Sequence, residues 1–280
     1  MKKGINYWAF PPGTDGASIN QVTAMEKAKL LGYDCMELTV EATGALTGAT
    51  TLEEASALRK AADGIGIELV TVASGLAWGE SPTNPDPSVR ARAIESYKRS
   101  LELCAALGAK TLLYLPGMVS ACFVPSYAPQ PYEAVAKRAK EAVEALLPTA
   151  RKLRVTLAVE NVWNHFLMSP VEMRDFIDQF GSEWVGSYLD LGNILQFGQP
   201  EDWIRTLGKR IAAVHMKDFR VNVGTLDGFV DLLSGDVDYR SVMPALRAVG
   251  YDGTYTAEIV PGRDGAAEKA IAALKIIEGY

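Results

Sequence analysis

Histidine and cysteine are both scarce: the chain of 280 residues contains two histidines and three cysteines. The cysteines, Cys35, Cys104 and Cys122, are odd in number and widely spaced, and no CxxC motif occurs. Paired cysteines are typical of secreted proteins, whereas isolated cysteines stay reduced in the cytoplasm. We therefore expect three reduced thiols in a cytoplasmic protein.

Long apolar runs and basic clusters are also missing. No run reaches the length of about 18 apolar residues that suggests a membrane span, and the first residues, MKKGINYWAFPPG, lack the apolar core of a secretory signal. The net charge is -6, from 34 acidic and 28 basic residues, without a local basic patch to meet phosphates. These absences argue against a membrane or a nucleic acid as partner, and they leave a homo-oligomer open.

Short apolar, β-rich runs alternate with amphipathic stretches along the whole chain. Most of these runs are nearly continuous, as in parallel strands that are buried on both faces. Eight strands are predicted: Lys3–Phe10, Cys35–Val40, Glu68–Ser74, Thr111–Gly117, Thr156–Val162, Val185–Asn193, Ile211–Phe219 and Thr254–Val260. Eight helical patterns accompany them, and Pro148 should kink or break the long helix predicted over residues 131–154.

Eight strands alternating with eight helices predict a (β/α)8 TIM barrel, with residues 1–280 as a single domain. The length of the chain fits eight such units. A doubly wound open sheet is the alternative, but it calls for a GxGxxG turn after an early strand, and NYWAFPPG provides none. The long irregular stretches, residues 77–88, 118–130 and 220–237, each follow a strand, where a barrel places its active-site loops.

Polar residues end the last four predicted strands. They are Glu160 in LAVEN, Asp190 in SYLDLGN, His215 in AVHMKD and Glu258 in YTAEIV. Each alone has an ordinary explanation, such as a turn cap at Asp190 or a core histidine at His215. Together, three carboxylates beside apolar strands would repel one another unless a cation meets them. The set predicts one divalent metal ion, and its hard, oxygen-rich ligands favour Mn²⁺, Mg²⁺ or Co²⁺.

The motifs VEN, YLDLGN, HMKD and AEIV, in this order and spacing, resemble the sugar isomerase/epimerase family that shares its barrel with endonuclease IV. Within that family the chain is similar to ketose 3-epimerases of the D-tagatose and L-ribulose type, and to L-xylulose- and L-ribulose-5-phosphate 3-epimerases. The resemblance covers the whole chain and is strongest from Thr156 onward. It implies that Glu160, Asp190, His215 and Glu258 bind the metal, and that two of them, Glu160 and Glu258, transfer protons.

The reaction implied by this resemblance is the inversion of C3 of a ketose through an enediolate, catalysed by a metal-dependent isomerase. One glutamate removes the C3 proton and the other returns a proton to the opposite face. A ketose-phosphate 3-epimerase, an aldose–ketose isomerase and a keto-inositol-type dehydratase (a lyase) are alternatives that use related chemistry. A metal-dependent endonuclease is disfavoured because it needs more histidines and a basic face. A sugar-binding protein without catalysis would not need three converging carboxylates.

Four further residues are candidates for substrate contact. The free-sugar epimerases resembled here carry a histidine three residues after the metal-binding aspartate, where this chain has Asn193, which either bonds a sugar oxygen or closes a turn. His165 follows Glu160 in its loop and either contacts substrate or lies on the surface. Lys217 points to the same side as His215 and either neutralises the carboxylates or contacts substrate. Trp8 offers an aromatic wall for a sugar.

Glu37 ends the second predicted strand and either orients a metal ligand or is a structural acid. It is the one acidic residue outside the last four strands that we consider for the site.

Binding of a substrate phosphate depends on the loops after the last two strands, where barrels often hold this group. The loop that begins with Arg220 contains four carboxylates that would repel a dianion: Asp227, Asp231, Asp236 and Asp238. The LSGD stretch, residues 233–236, is a candidate nest of backbone N–H groups, and Arg263 follows the last strand. The motifs favour a phosphosugar and the local charge opposes one. We predict a free ketose as the better substrate.

Overall fold

Eight parallel strands close into a barrel in the computed structural model, which describes residues 1–11, 19–260 and 262–280. The first strand pairs with the second and with the last, which completes the ring. This confirms the predicted (β/α)8 TIM barrel, while a single domain over residues 1–280 stays a prediction. The described strands, including a short ribbon outside the barrel, are β1 (Lys2–Asn6), β2 (Cys35–Val40), β3 (Glu68–Ser74), β4 (Thr111–Tyr114), β5 (Thr156–Glu160), β6 (Val185–Asp190), β7 (Ile211–Met216), β8 (Asp218–Phe219), β9 (Phe229–Val230) and β10 (Thr254–Ala257).

Helices connect the strands around the barrel. Thr51 and Glu54 form a capping box at the start of the second helix, and Gly66 ends it in the left-handed region with a φ of 78°. None of the helices in the described part of the chain is long and apolar enough to cross a membrane. The described helices are α1 (Gln21–Leu31), α2 (Leu52–Ile65), α3 (Pro87–Ala106), α4 (Tyr132–Leu153), α5 (Pro170–Asp178), α6 (Leu191–Ile194), α7 (Pro200–Leu207), α8 (Tyr239–Ala248) and α9 (Ala266–Ile277).

The barrel strands are buried on both faces, which explains their continuous apolar runs. Every residue of β2 and of β6 is buried, although successive side chains point to opposite sides of the sheet. One side faces the interior of the barrel and the other faces the helices. Polar residues on these strands, such as Glu37 and Asp190, are therefore buried as well.

Several strands end earlier than the apolar runs suggest. β1 stops at Asn6 and continues as a 3-10 turn, and β6 stops at Asp190 before the short helix α6. The predicted ends at Phe10 and Asn193 are therefore too late, and the predicted ends of β4, β5 and β10 are too late as well. The sequence stays apolar beyond the strands because the mouth of the barrel buries those residues too, including all four residues of α6.

The predicted strand Ile211–Phe219 is interrupted near its end. β7 stops at Met216, and the next residues form β8, which pairs with β9 as an antiparallel ribbon. In this ribbon Phe219 lies opposite Phe229. The interruption places Lys217 between the barrel and the ribbon, at the mouth where the active site is expected.

Pro148 does not break α4, which runs continuously past it. Proline lacks the N–H group that would bond the carbonyl of Glu144, four residues earlier. Both residues are exposed, so water can solvate this carbonyl. A break at Pro148 is therefore wrong, because packing of the apolar face of the helix outweighs the local cost of the proline, and a kink there stays a prediction.

Candidate metal centre and substrate cavity

Four side chains from the ends of barrel strands converge at the mouth. Glu160 ends β5, Asp190 ends β6, His215 lies in β7 and Glu258 directly follows β10. Asp190 pairs with His215 in the sheet register. One potential ligand atom from each residue lies within 4.8 Å of the others, and all four residues are buried. The structure brings together the four residues predicted to bind a metal, and the metal itself stays a prediction.

We call these four residues, which are predicted to bind one metal ion, the metal cluster. Several of their atoms lack hydrogen-bond partners. Asp190 Oδ2, Glu258 Oε2 and His215 Nδ1 are buried without one. His215 Nδ1 lies 3.6 Å from Glu258 Oε2 and 3.9 Å from both Glu160 Oε1 and Asp190 Oδ2, too far for hydrogen bonds. A buried polar group left unpaired costs about 1–3 kcal/mol. A divalent cation among these oxygen and nitrogen atoms would satisfy them together, so the residues fit such an ion.

Glu37 orients the histidine from across the barrel. Its Oε1 lies 2.8 Å from His215 Nε2, and its Oε2 accepts a hydrogen bond of 2.5 Å from the Tyr188 hydroxyl. With Nε2–H bonded to this carboxylate, the histidine presents Nδ1 to the metal cluster. Of the two roles expected for Glu37, the structure supports orientation of a ligand.

Lys217 places a positive charge beside the carboxylates. Its Nζ forms an ion pair with Glu258 Oε2 at 2.8 Å and another with Asp190 Oδ2 at 3.6 Å. The same ammonium lies 4.4 Å from the centroid of the Phe229 ring, within range of a cation–π contact. The structure therefore supports the neutralising role expected for Lys217.

The three carboxyl groups differ in pKa because burial and nearby charges act on them to different extents. Burial raises the pKa of Glu160, and it raises the pKa of Asp190 well above its usual range. Burial acts in the same direction on Glu258, but Lys217 and then His215 outweigh it and lower the pKa of Glu258 to about 2. Burial lowers the pKa of His215, yet the surrounding carboxylates bring its net pKa well above the usual range.

Two asparagines hold the aspartate in place. The Asn161 side chain donates to the Asp190 carbonyl at 2.8 Å and accepts from the Asp190 N–H at 2.9 Å. The Asn193 N–H donates to Asp190 Oδ1 at 2.8 Å, and the Asn193 side chain donates to the Asn161 carbonyl at 3.1 Å. Asn193 thus closes the turn after β6, which is one of the two roles expected for it.

A cavity of about 530 Å³ adjoins the metal cluster. Glu160 and Glu258 lie in its wall, and so do three of the residues predicted to contact substrate: Trp8, Asn193 and Lys217. Most of the remaining wall is apolar and includes the aromatic residues Trp78, Phe123, Trp163 and Phe229. The cavity therefore combines a charged end with an aromatic wall, as ligand-binding cavities often do.

A family model matches most of this barrel. Residues 25–277 match the model of the xylose isomerase-like TIM barrels. The chain belongs to this family. The matched residues include the four that converge in the metal cluster.

Sequence relatives of this xylose isomerase-like barrel include proteins named as epimerases. The "Putative L-ribulose-5-phosphate 3-epimerase SgbU" of Escherichia coli (strain K12) is 28% identical over 178 residues, which are 62% of this chain and 60% of that protein. The chain thus spans about three fifths of that relative's length. The uncharacterized protein MJ1311 of Methanocaldococcus jannaschii is 22% identical over 279 residues, 97% of this chain and 88% of that protein.

Solved structures with this fold include several sugar epimerases. A D-psicose 3-epimerase in the presence of D-fructose has a TM-score of 0.78 at 21% identity, covering 99% of this chain and 98% of that one. The 3-keto-D-glucoside 4-epimerase YcjR from E. coli has a TM-score of 0.79 at 18% identity, covering 100% of both chains. The IOLI protein with a bound zinc atom has a TM-score of 0.76 at 18% identity, covering 99% and 96%. The family and these neighbours confirm the resemblance that the motifs indicate.

Two residues predicted to contact substrate, His165 and Trp8, differ in their position relative to the cavity of this xylose isomerase-like barrel. His165 is exposed, its Nδ1 lies 2.7 Å from Ser120 Oγ, and it is not among the described residues of the cavity wall. Its surface role, the other alternative, agrees with this position. Trp8 lies in the wall, and its indole N–H donates to Glu41 Oε1 at 3.2 Å.

The backbone N–H groups of the LSGD stretch already have acceptors within the chain: those of Ser234 and Asp236 bond the carbonyls of Asp231 and Phe219, and that of Gly235 bonds Asp218. Asp218 accepts hydrogen bonds from the backbone N–H groups of Phe219, Gly235 and Val237, at 2.9, 3.0 and 3.1 Å. Arg220 donates to the Ser234 carbonyl at 3.0 Å. These donors are therefore already bonded within the loop.

The acidic residues of the same loop also have structural partners. Asp231 pairs with Arg263 and lies 3.3 Å from Lys269 Nζ. Asp236 accepts from the Val221 N–H, and Asp238 caps α8. Of the four carboxylates expected to repel a phosphate, Asp227 alone lies in the described cavity wall, so the repulsion is weaker than the sequence suggests.

Trp163 is a residue of the cavity wall that was not predicted from the sequence. It lies in the cavity wall, its indole N–H donates to the Asn193 carbonyl at 3.1 Å, and its ring packs edge-on against Phe219 with centroids 5.1 Å apart. Its position two residues after the VEN motif was the available signal, since residues that follow a catalytic strand line the mouth of a barrel.

Proposed function

We propose that this chain is a metal-dependent epimerase that inverts C3 of a ketose, with Glu160 and Glu258 as the proton-transferring groups. The observation that carries the proposal is their placement in one metal cluster and in the wall of one cavity. In the ring of strands, β5 and β10 are separated by β6 and β7. Inversion requires a proton to leave one face of C3 and another to arrive at the opposite face, and two separated glutamates suit this need.

Glu258 is the group that we assign to proton removal, because Lys217 favours its ionised form. Glu160, whose pKa is raised by burial, carries the proton that returns to C3 from the other side. The C3 proton is acidic because the C2 carbonyl accepts the electron pair as the enediolate forms. A divalent ion held by the four ligands would supply Lewis-acid stabilisation of this negative charge. In the reverse direction the two glutamates exchange roles.

The metal that we propose is Mn²⁺, Co²⁺ or Mg²⁺. Three carboxylates and one imidazole form a hard ligand set without a thiolate. The zinc atom in the IOLI protein belongs to a neighbour that shares the fold at 18% identity, so the choice of ion here rests on the ligands of this chain.

Trp8, Asn193 and Lys217 are the residues that we propose to contact the sugar. All three lie in the cavity wall beside the two glutamates. Trp8 offers an aromatic ring and Lys217 a cation, which are groups that recognise a sugar face and a sugar oxygen.

A ketose without a phosphate is the substrate that we propose. The N–H groups of Ser234, Gly235 and Asp236 in LSGD are bonded within the chain, and Arg263 is paired with Asp231, so neither presents a free anion site. Asp227 adds a carboxylate to the cavity wall. The relative SgbU is named for a phosphorylated ketose, so a preference for the free sugar would separate this chain from that relative.

The cellular location that we propose is the cytoplasm. Cys35, Cys104 and Cys122 are all free thiols, as expected where reducing conditions prevail.

The test is turnover of 2-ketohexoses and 2-ketopentoses by the Mn²⁺-loaded protein in D₂O. We expect formation of the C3 epimer with deuterium at C3. Label at C1 alone would identify an aldose–ketose isomerase, and loss of water from the sugar would identify a dehydratase. A clear preference in kcat/KM for the terminal phosphate ester would contradict the choice of a free ketose.

A further inference from the structure

Three exposed apolar side chains surround the cavity on three different loops. Phe123 follows β4, Leu226 lies between β8 and β9, and Val260 follows β10. Their exposed fractions are 37%, 43% and 51%, and all three line the same cavity. Scattered exposed apolar residues are ordinary on proteins, but a group that converges on one pocket marks a binding surface. We call these three residues the apolar rim.

The apolar rim continues into the aromatic wall of the cavity. The Phe123 ring packs edge-on against the Trp78 ring, with centroids 4.7 Å apart and an interplanar angle of 77°. Of the four charged side chains among the described residues of the cavity wall, three belong to the metal cluster or contact it: Glu160, Glu258 and Lys217. The cavity is therefore divided into a charged part at the cluster and an apolar part at the rim.

A ketose alone does not match this division. It carries an oxygen on every carbon, and an apolar wall gives hydroxyl groups no partners in exchange for the water they lose. The cavity of about 530 Å³ also lies in the range that holds drug-sized ligands, which are larger than one sugar ring. A ligand with a polar sugar and an apolar extension would match both parts.

We infer that the substrate is a ketose that carries an apolar substituent on its terminal oxygen, remote from the carbonyl. The sugar lies at Glu160 and Glu258, and the substituent contacts the apolar rim. This inference rests on the proposed epimerase function and adds the substrate class. The reaction is unchanged: one proton leaves C3, one proton returns, and the bond to the substituent stays intact. Asp227, the fourth charged residue among those described in the wall, disfavours an anionic group there.

The experiment compares each D-2-ketohexose with its 6-O-benzyl ether on the Mn²⁺-loaded protein in D₂O. Incorporation of deuterium at C3 measures proton transfer for both members of each pair. We expect kcat/KM to be at least about tenfold higher for the ether of the preferred sugar, because burial of the benzyl group against the rim adds apolar contact.

The chain offers a matched pair of valines as a control. Val260 lies in the rim, whereas Val221 has nearly the same exposed fraction, 50%, but is not among the described residues of the cavity wall. In Val260→Ser and in Phe123→Ser, the ratio of kcat/KM for ether over free sugar should fall several-fold. In Val221→Ser the ratio should equal that of the unmodified protein.

Each other outcome contradicts a defined part of the inference. Turnover of a free ketohexose with no advantage for its ether refutes the apolar substituent and leaves the proposed function intact. Equal ratios in Val260→Ser and Val221→Ser refute the rim as its binding surface. A dimer that dissociates on Phe123→Ser, seen by sedimentation, would assign the rim to contact between copies of the chain and overturn the inference. Absence of C3 exchange in every sugar and ether refutes the proposed function and this inference together.

Discussion

At the scale of single residues, the two proposed proton-transferring glutamates differ because of their neighbours. The Lys217 ammonium lies 2.8 Å from Glu258 Oε2, whereas the nearest cationic group described beside Glu160 is the His215 ring, at 3.9 Å. The same side chain thus has a lowered pKa in one position and a raised pKa in the other. Opposite shifts of this kind are typical of a base and an acid that work together.

Replacement of either glutamate tests this division of roles. Glu160→Gln and Glu258→Gln should each reduce deuterium exchange at C3 by at least about a hundredfold, the usual contribution of a proton-transferring group. Glu144→Gln, on the exposed face of α4, is the control and should exchange normally. Full activity in either cluster variant would remove that glutamate from the mechanism.

Lys217 should also weaken the binding of a metal, because it places a positive charge beside two ligands. We expect Lys217→Met to bind Mn²⁺ at least about tenfold more tightly in calorimetric titrations of metal-stripped protein. Lys3→Met is a matched control, since Lys3 has the same 15% side-chain exposure and pairs with Glu278 at 3.0 Å, away from the mouth. Weaker binding in Lys217→Met would mean that the lysine holds the carboxylates in place instead.

The affinity for the metal should rise with pH. The raised pKa values of Asp190 and His215 mean that these groups keep protons to higher pH than usual, and a metal must displace those protons. The Mn²⁺ affinity should therefore fall as the pH decreases from about 8 to 5.5, through the usual range of a histidine and below it. A flat profile in calorimetry would contradict the protonated state of the metal-free cluster.

At the scale of helices and strands, the sequence predicted where strands begin better than where they end. The bounds of β2 and β3 agree with the prediction at both ends. The ends of β6 and β7 could not be predicted, because Leu191 and Phe219 are buried beyond the strands and look like continued strand in the sequence. The residues of the metal cluster were predictable because each is a polar residue at the end of an apolar run. The hydrogen bonds of Trp163 and of Asp218 were not, since they depend on contacts between distant loops.

Pro148 gives a prediction at this scale. It lacks one hydrogen bond of α4, and its exposed side chain has room for replacement. Pro148→Ala should therefore raise the free energy of unfolding by roughly 1–3 kcal/mol, within the difference in helix propensity between the two residues. Urea denaturation measures this change. A loss of stability would show that the proline fixes a bend that the barrel requires.

At the scale of the whole molecule, the metal cluster joins parts of the chain that are far apart in sequence. Glu37 comes from β2 and its partners Tyr188 and His215 come from β6 and β7, so their hydrogen bonds cross the interior of the barrel. The four residues proposed to bind the metal come from β5, β6, β7 and the position directly after β10. Occupation of the site should therefore stabilise the barrel as a unit.

Chelation tests this coupling. A metal at a hundredfold excess over its Kd adds about 2.7 kcal/mol to the free energy of unfolding, which corresponds to several degrees in Tm. We expect Mn²⁺ to raise the Tm of the protein and EDTA to reverse the shift. In His215→Ala, Mn²⁺ should change the Tm little, and an unchanged shift in that variant would place the metal elsewhere.

The carboxylate of Asp218 has a consequence for how specificity can evolve in this barrel. It occupies the backbone N–H groups of Phe219, Gly235 and Val237, in a loop region where barrels often receive a phosphate. The Asp218 carboxylate is thus the anion that these N–H groups bind. Loss of that one side chain would leave these three N–H groups without their acceptor, so substitution of Asp218, with no added arginine or lysine, is the change that would free anion donors in this loop.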